Sequence, residues 1–264
     1  MHDENWVPAW DGSRYAANNA HHRVYDARFL ASLPLTPTSR VLDIGCGSGE
    51  FTRTVADLAP RGVVVGVDAQ NSMLAQARQR ARDNQSFVRA RAQELGEELA
   101  DHEPFDVVFS RAVFHWIPLA DHAAVLAAVR QRLAPGGVFS LEMGGAGNIA
   151  RMVRMLDAVS SQLGGPTSPW TFPDAGTYLE LLEEAGFEVR GGHVGTVGQR
   201  RAFDEAGIQG WLESQALMAY EYGLPVQHHA TFRRAVRARM NEVRRPDGSW
   251  DLTYVRLEAR VCRS

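Results

Sequence analysis

Asp43, Asp68 and His115 are the residues through which this chain could do chemistry, and each stands at or just past the end of an apolar run. Asp43 lies in "RVLDI", which is followed by "GCGSGE", with glycines at 45, 47 and 49. A glycine-rich turn between a strand and a helix presents backbone N–H groups to a nucleotide-like ligand. A dinucleotide fingerprint would read G-x-G-x-x-G, whereas here Glu50 stands where the third glycine belongs. A carboxylate facing a pyrophosphate is electrostatically unfavourable, so a cationic or zwitterionic ligand without phosphates fits better. Asp43 is placed to meet an ammonium group, directly or through water. Asp68 ends "VVVGVD", where an acid accepts from ribose hydroxyls. Helix capping would account for either acid taken alone.

His115 follows the fourth apolar run, beside Trp116, in "VFHW". It is the candidate general acid or base; a histidine packed under Trp116 for structural reasons is the alternative. An anionic substrate would need arginine, whose planar fork matches a carboxylate. Arg111, Arg151 and Arg154 are the candidates, and Trp116 and Trp170 are candidates for the walls of a substrate site.

These residues need elements to hold them. "RVLDI", "GVVVGVDA", "SFVRAR", "FDVVFS" and "VFSLEM" read as strands, and helical patterns alternate with them. That alternation predicts a doubly wound, mostly parallel α/β sheet. "TYLELLEEAGFEV" is an amphipathic helix leading into another strand. Residues 204–245 read as helical, with Phe232, Val236, Met240 and Val243 on one stripe. The final "TYVRLEARV" alternates apolar residues with Arg256, Glu258 and Arg260, which predicts a half-exposed strand at an edge or inserted antiparallel. The organisation expected is a single domain, 1–264. It comprises an N-terminal cover helix (1–35), a cofactor-binding half (36–143) and substrate-cover insertions at 144–173 and 204–245.

Composition removes several classes. The chain has 264 residues and a net charge of −3, so no global basic field favours nucleic acid. All 28 basic residues are arginine, which excludes Schiff-base and phosphate-loop lysines. Two cysteines supply neither a disulfide framework nor a Cys-based zinc site, and no metal is expected. "MHDENWVPAW" has no apolar signal core, and no run approaches a membrane span; the cytoplasm is the expected compartment.

"VLDIGCGSGEFT", "VVVGVDAQNSML" and "FDVVFSRAVFHWI…LAPGGVFSLE" resemble the ordered motifs of class I S-adenosylmethionine-dependent methyltransferases. "VFHW", "GGAGNIA", "PWTFP" and "YLELLEEAGFEV" resemble a bacterial branch of trans-aconitate methyltransferases and related carboxyl and small-molecule methyltransferases. The resemblance implies seven strands with the last antiparallel. It implies that Asp43, Gly45, Cys46 and Gly47 line the methionine part of the cofactor and that Asp68 binds the ribose. Ala69 and Met73 would flank the adenine, with Ala92 and Gln93 at its edge. Ser110 and Ala112 would lie under the sulfonium, and Tyr15, Asn19 and His22 would close over the methionine end. Arg91 departs from the pattern, standing where family members usually carry an acid.

The expected function is therefore methyl transfer from S-adenosyl-L-methionine, giving S-adenosyl-L-homocysteine, to a small molecule or peptide terminus through an oxygen nucleophile, most simply a carboxylate. The alternatives are a nicotinamide-dependent oxidoreductase and a protein that keeps the cofactor without methylating.

Overall fold

The computed structural model describes residues 23–264. Helix α1 (Arg23–Ser32) leads into β1 (Arg40–Ile44), and the glycine turn into α2 (Glu50–Leu58). Then come β2 (Val63–Asp68), α3 (Asn71–Gln79), β3 (Gln85–Arg89), α4 (Leu95–Glu98) and β4 (Phe105–Arg111). They are followed by α5 (His122–Arg132), β5 (Leu133–Gly144), α6 (Ala150–Gln162), α7 (Ala175–Glu184) and β6 (Phe187–Phe203). The chain ends with α8 (Glu205–Trp211), α9 (Leu217–Tyr222), α10 (Val226–Arg239) and β7 (Trp250–Arg263).

The seven strands form one sheet in the order β3-β2-β1-β4-β5-β7-β6. β1 pairs in parallel with β2 and β4, and the order reverses between them. Open α/β sheets bind ligands outside the strand ends at such a reversal. β7 runs antiparallel to both β5 and β6.

Alternation along the strands assigns the two faces. Val41, Val64, Val107 and Phe109 pack on α1 and α2 through Phe29, Val55 and Ala56. Leu42, Ile44, Val65, Val108 and Leu257 pack on α5 and α7 through Val125, Val129, Tyr178 and Leu182. β-branched residues on both faces of β1 and β2 are what a strand covered on both sides requires.

A second cluster forms from the two insertions. Met152, Leu156 and Val159 of α6 meet Trp170, Trp211, Tyr220, Phe232, Val236, Met240 and Val243, together with Trp250 and Leu252 of β7. The helical stripe expected in 204–245 is buried here. The region is not one helix: a π-helical turn, Leu212–Ala216, separates α8 from α9. β7 takes the second of the two placements expected for it, inserted antiparallel between β5 and β6, but Arg256 on its polar side is buried rather than half-exposed.

Candidate active site

The three glycines of the turn all have left-handed backbone, with φ of +75°, +55° and +73°. Their surroundings differ. A Cβ on Gly45 would lie 2.1 Å from Val113 Cγ2, and one on Gly49 would lie 2.9 Å from the Ala77 Cβ of α3. Those two glycines allow close packing. A Cβ on Gly47 meets nothing within 4 Å, so the turn leaves open space there.

Two carboxylates flank this space. Asp68 Oδ2 accepts from the Gly47 N–H at 2.9 Å, and Oδ1 accepts from the Gln70 N–H at 2.8 Å. Burial raises its pKa, opposed by those two bonds. Asp43 is buried and accepts from the Thr52 hydroxyl at 2.6 Å. Burial pushes its pKa up to about 7; the Thr52 bond and the Arg111 charge oppose the shift, and the Asp68 charge adds to it. Burial also holds the Cys46 thiol well above its usual range. Charged acids this poorly solvated are stabilised by a positively charged ligand, and S-adenosylmethionine, with its ammonium and sulfonium, meets that demand.

Further along, Met73 is buried on α3, and Ala92 is buried at the start of a short 3₁₀ turn. The Gln93 amide donates to Asp121 at 3.1 Å. Arg91 pairs with Glu94, three residues on. The Ser110 hydroxyl is fully buried and donates to the Ile44 carbonyl, tying β4 to β1. Tyr15, Asn19 and His22 lie outside the described residues.

Beyond the ends of β4 and β5 a cleft of about 570 Å³, including its mouth, opens between the sheet and the two insertions. Ala112, His115, Trp116 and Gly144 line the sheet side. Trp170, Phe172, Trp211, Gln215, Tyr254 and Arg256 line the rest, with Asn148 and Ile149. Trp170 and Phe172 stand nearly parallel, 16° apart with ring centroids at 5.9 Å, and Trp116 meets Trp170 edge-on.

His115 Nδ1 accepts from the Gly144 N–H at 3.3 Å, which places the ring proton on Nε2. The half-buried ring opens to the cleft. Desolvation, then the charges of Arg256 and His122, lower its pKa to about 3, so the imidazole is neutral at physiological pH.

None of the three arginines expected at the substrate lines the cleft; Arg154 is exposed on α6. Arg111 has the same strand parity as Phe109, so its guanidinium sits over the rings of Phe51 (4.5 Å) and Phe29 (5.1 Å), on the α1–α2 face. Arg151 is exposed and donates to the Glu242 carbonyl at 2.9 Å. The arginine that reaches the cleft is Arg256, whose Nη1 donates to Glu142 Oε1 at 2.7 Å. Sequence reasoning assigned it to a solvated strand face. The strand's own alternation does not separate it from Arg260, which is only half-buried on the same strand; what buries Arg256 is its pairing with Glu142 at the end of β5 and the cover of the insertions.

Comparison with known proteins agrees with this geometry. A methyltransferase-domain family matches residues 42–139. A trans-aconitate 2-methyltransferase of Azoarcus sp. is 30% identical over 88% of this chain and 89% of its own length. An uncharacterised methyltransferase of Schizosaccharomyces pombe is 28% identical over 94% and 95%. The chain belongs to the class I S-adenosylmethionine-dependent methyltransferases. Among solved structures, the YcgJ protein of Bacillus subtilis (TM-score 0.60, 16% identity) covers 92% of this chain and 99% of its own, and shares the fold.

That membership sets aside the nicotinamide alternative, and Glu50 in place of a third glycine agrees with it. The methyltransferase concentrates its irregular backbone at the cleft. Ala112 and Ile149, its two non-glycine residues with positive φ among those described, at +57° and +44°, both line it. The π turn begins directly after Trp211 and carries Gln215 into it. Such conformations each cost of order 1–3 kcal/mol and gather where function requires them. Among the described residues, no helix is long and apolar enough to cross a membrane.

Proposed function

We propose that this methyltransferase esterifies a carboxylate of a small organic acid. The observation that carries the reading is the Arg256 guanidinium in a cleft otherwise uncharged among its described lining residues, because a carboxylate is the group its fork matches. The trans-aconitate 2-methyltransferases among its relatives support a carboxyl acceptor.

The cofactor would occupy the space over Gly47, with Asp68 toward its ribose, Met73 and Ala92 at its base, and Asp43 supplying negative field at the methionine end. S-adenosylmethionine, when bound, supplies a methyl group already activated on a sulfonium, and leaves as S-adenosylhomocysteine once a carboxylate oxygen has taken the methyl. The chain's own task is then alignment and exclusion of water, which together can contribute roughly 7–11 kcal/mol. Arg256 holds the carboxylate, the aromatic walls remove solvent, and the His115 Nε2–H donates toward the acceptor. No base is needed, because a carboxylate of pKa near 4 carries no proton at neutral pH.

The test is transfer of labelled methyl into a pool of organic acids, with recovery of a base-labile ester. The single-turnover rate should stay flat from about pH 5.5 to 9, since neither His115 nor the acceptor titrates there. A rate that climbs toward pH 9 would instead reveal an amine or phenol acceptor.

A further inference from the structure

One wall of the cleft is held from behind by an ion network. Trp211 and Gln215 line the cleft, one just before the π turn and the other within it. Residues four apart on a helical turn share a side, so Glu213, midway between them, points away from the cleft. There α10 takes both of its carboxylate oxygens. Oε2 accepts from Arg233 Nη1 at 2.5 Å, and Oε1 accepts from Arg237 Nη2 at 2.9 Å. Arg233 also closes a fork on Glu221 of α9, with Nε on Oε1 at 2.5 Å and Nη2 on Oε2 at 2.7 Å. Glu221 is buried and Arg233 half-buried. One guanidinium thus ties the π turn to the helix that follows it, and a planar fork is what two carboxylates at fixed positions require.

The π register needs such a tie, because π turns are rare and persist where their surroundings demand them. The Ser214 hydroxyl donates to the Gly210 carbonyl at 2.6 Å, a side-chain bond of the kind that bends a helix. Relaxing this run to α register would rotate the residues before the turn against those after it by about 100°. Trp211 and Gln215 could not then keep their places in the wall while Glu213 and Glu221 kept theirs on Arg233. Another ion pair of α10, Arg239 with Glu242, joins residues three apart and makes no such bridge.

We infer that Glu213 and Arg233 are positioning residues for the acceptor: their ion pair fixes the π register, and with it the Trp211–Gln215 wall of the cleft. This rests on the reading of the cleft as the acceptor site.

The test uses the full chain labelled with 5-fluorotryptophan and saturated with S-adenosylhomocysteine; the fluorine resonance missing from Trp211→Phe is that of Trp211. Glu213→Gln removes the charge at nearly constant size. It should shift or broaden the Trp211 resonance and speed amide exchange over residues 211–217 by about tenfold or more. Its urea midpoint and S-adenosylhomocysteine Kd should stay close to wild type, because Glu213 is only half-buried. With trans-aconitate as the probe acceptor and labelled cofactor, kcat/KM should fall about tenfold or more, mainly through a raised KM. Arg233→Lys keeps the charge without the fork and should resemble Glu213→Gln. Arg239→Gln removes an ion pair from the same helix and should match wild type in every readout. An unmoved Trp211 resonance, an unchanged KM in Glu213→Gln, a wild-type profile in Arg233→Lys, or the same changes in Arg239→Gln would overturn the inference. So would a loss of S-adenosylhomocysteine affinity as large as the loss in kcat/KM. A wild type that transfers no methyl to trans-aconitate counts against the carboxyl reading alone, and the Trp211 resonance with the exchange rates then decides the inference.

Discussion

A Cβ at Gly47 meets nothing within 4 Å, whereas one at Gly45 would overlap Val113. Two substitutions two residues apart should therefore fail differently. Gly47→Val places a branched side chain in the open space proposed for the cofactor. Its fold survives with a loss of about 1–2 kcal/mol for left-handed backbone on a non-glycine residue, while S-adenosylmethionine binding is abolished. Gly45→Ala adds a clash to a similar backbone strain and should lose more stability, visible as a lower urea midpoint. Normal cofactor affinity in a folded Gly47→Val protein would contradict the placement of the cofactor over this turn. The sequence shows the three glycines alike; their division of labour depends on Val113 and Ala77, which no spacing within the turn encodes. Arg256 shows the same limit. A charged residue in an alternating strand reads as solvated, and only the neighbours of that strand decide otherwise.

The two insertions share one apolar cluster, and within it one carboxylate oxygen joins several segments. Asp157 Oδ1, on α6, accepts from the Tyr220 hydroxyl of α9 at 2.6 Å and from the Ser168 N–H at 2.7 Å. Close approaches at Gly165 to Leu224 and at Gly223 to Pro166 bring the same segments together. Asp157→Ala leaves two buried or half-buried donors unmade, at about 1–3 kcal/mol each. The expected result is a loss of about 2–4 kcal/mol in unfolding free energy and a raised KM for the acceptor, with S-adenosylmethionine Kd within about twofold of wild type. A cofactor Kd that moved as much as the acceptor KM would show that the insertions also shape the cofactor site. At this scale the sequence was informative where periodicity is long. β1 to β5, α7 and the Phe232–Val243 stripe follow from residue patterns alone, because repeated burial on one face leaves a repeated signal. The π turn at Leu212–Ala216 leaves none: it adds one residue to a helical run, and what demands it is the position of Trp211 and Gln215 against the cleft.

Across the molecule, opposing titrations set how stability depends on pH, and the cofactor acts on one of them. His115 has a folded pKa depressed to about 3, so its contribution is fully present above about pH 6.5 and is lost as pH falls through about 3. Asp43 runs the other way. Its folded pKa is raised to about 7, by burial first, so its contribution is present below the unfolded value near 4 and is lost as pH rises through about 7. At pH 8 the ligand-free protein therefore carries an ionised, buried carboxylate near Asp68, a destabilising arrangement that a bound cation would relieve. Asp43→Asn removes that charge while remaining close in size. Relative to wild type, the variant should gain unfolding stability between pH 5 and pH 8 and hold a constant difference above pH 8. Saturating S-adenosylmethionine should shrink or reverse the difference at pH 8, because its positive charge stabilises ionised Asp43, and the variant should bind the cofactor more weakly. Binding to the wild type should release a proton near pH 6, where the free site is mostly protonated, so affinity rises with pH until it levels near pH 8. Urea unfolding at pH 5, 8 and 9, with and without cofactor, measures the stability differences, and calorimetric titration of the cofactor near pH 6 in buffers of different ionisation enthalpy measures the proton release. Parallel curves for Asp43→Asn and wild type across that range would mean that Asp43 ionises as an ordinary carboxylate, and that both acids already carry their charge in the ligand-free site at pH 5.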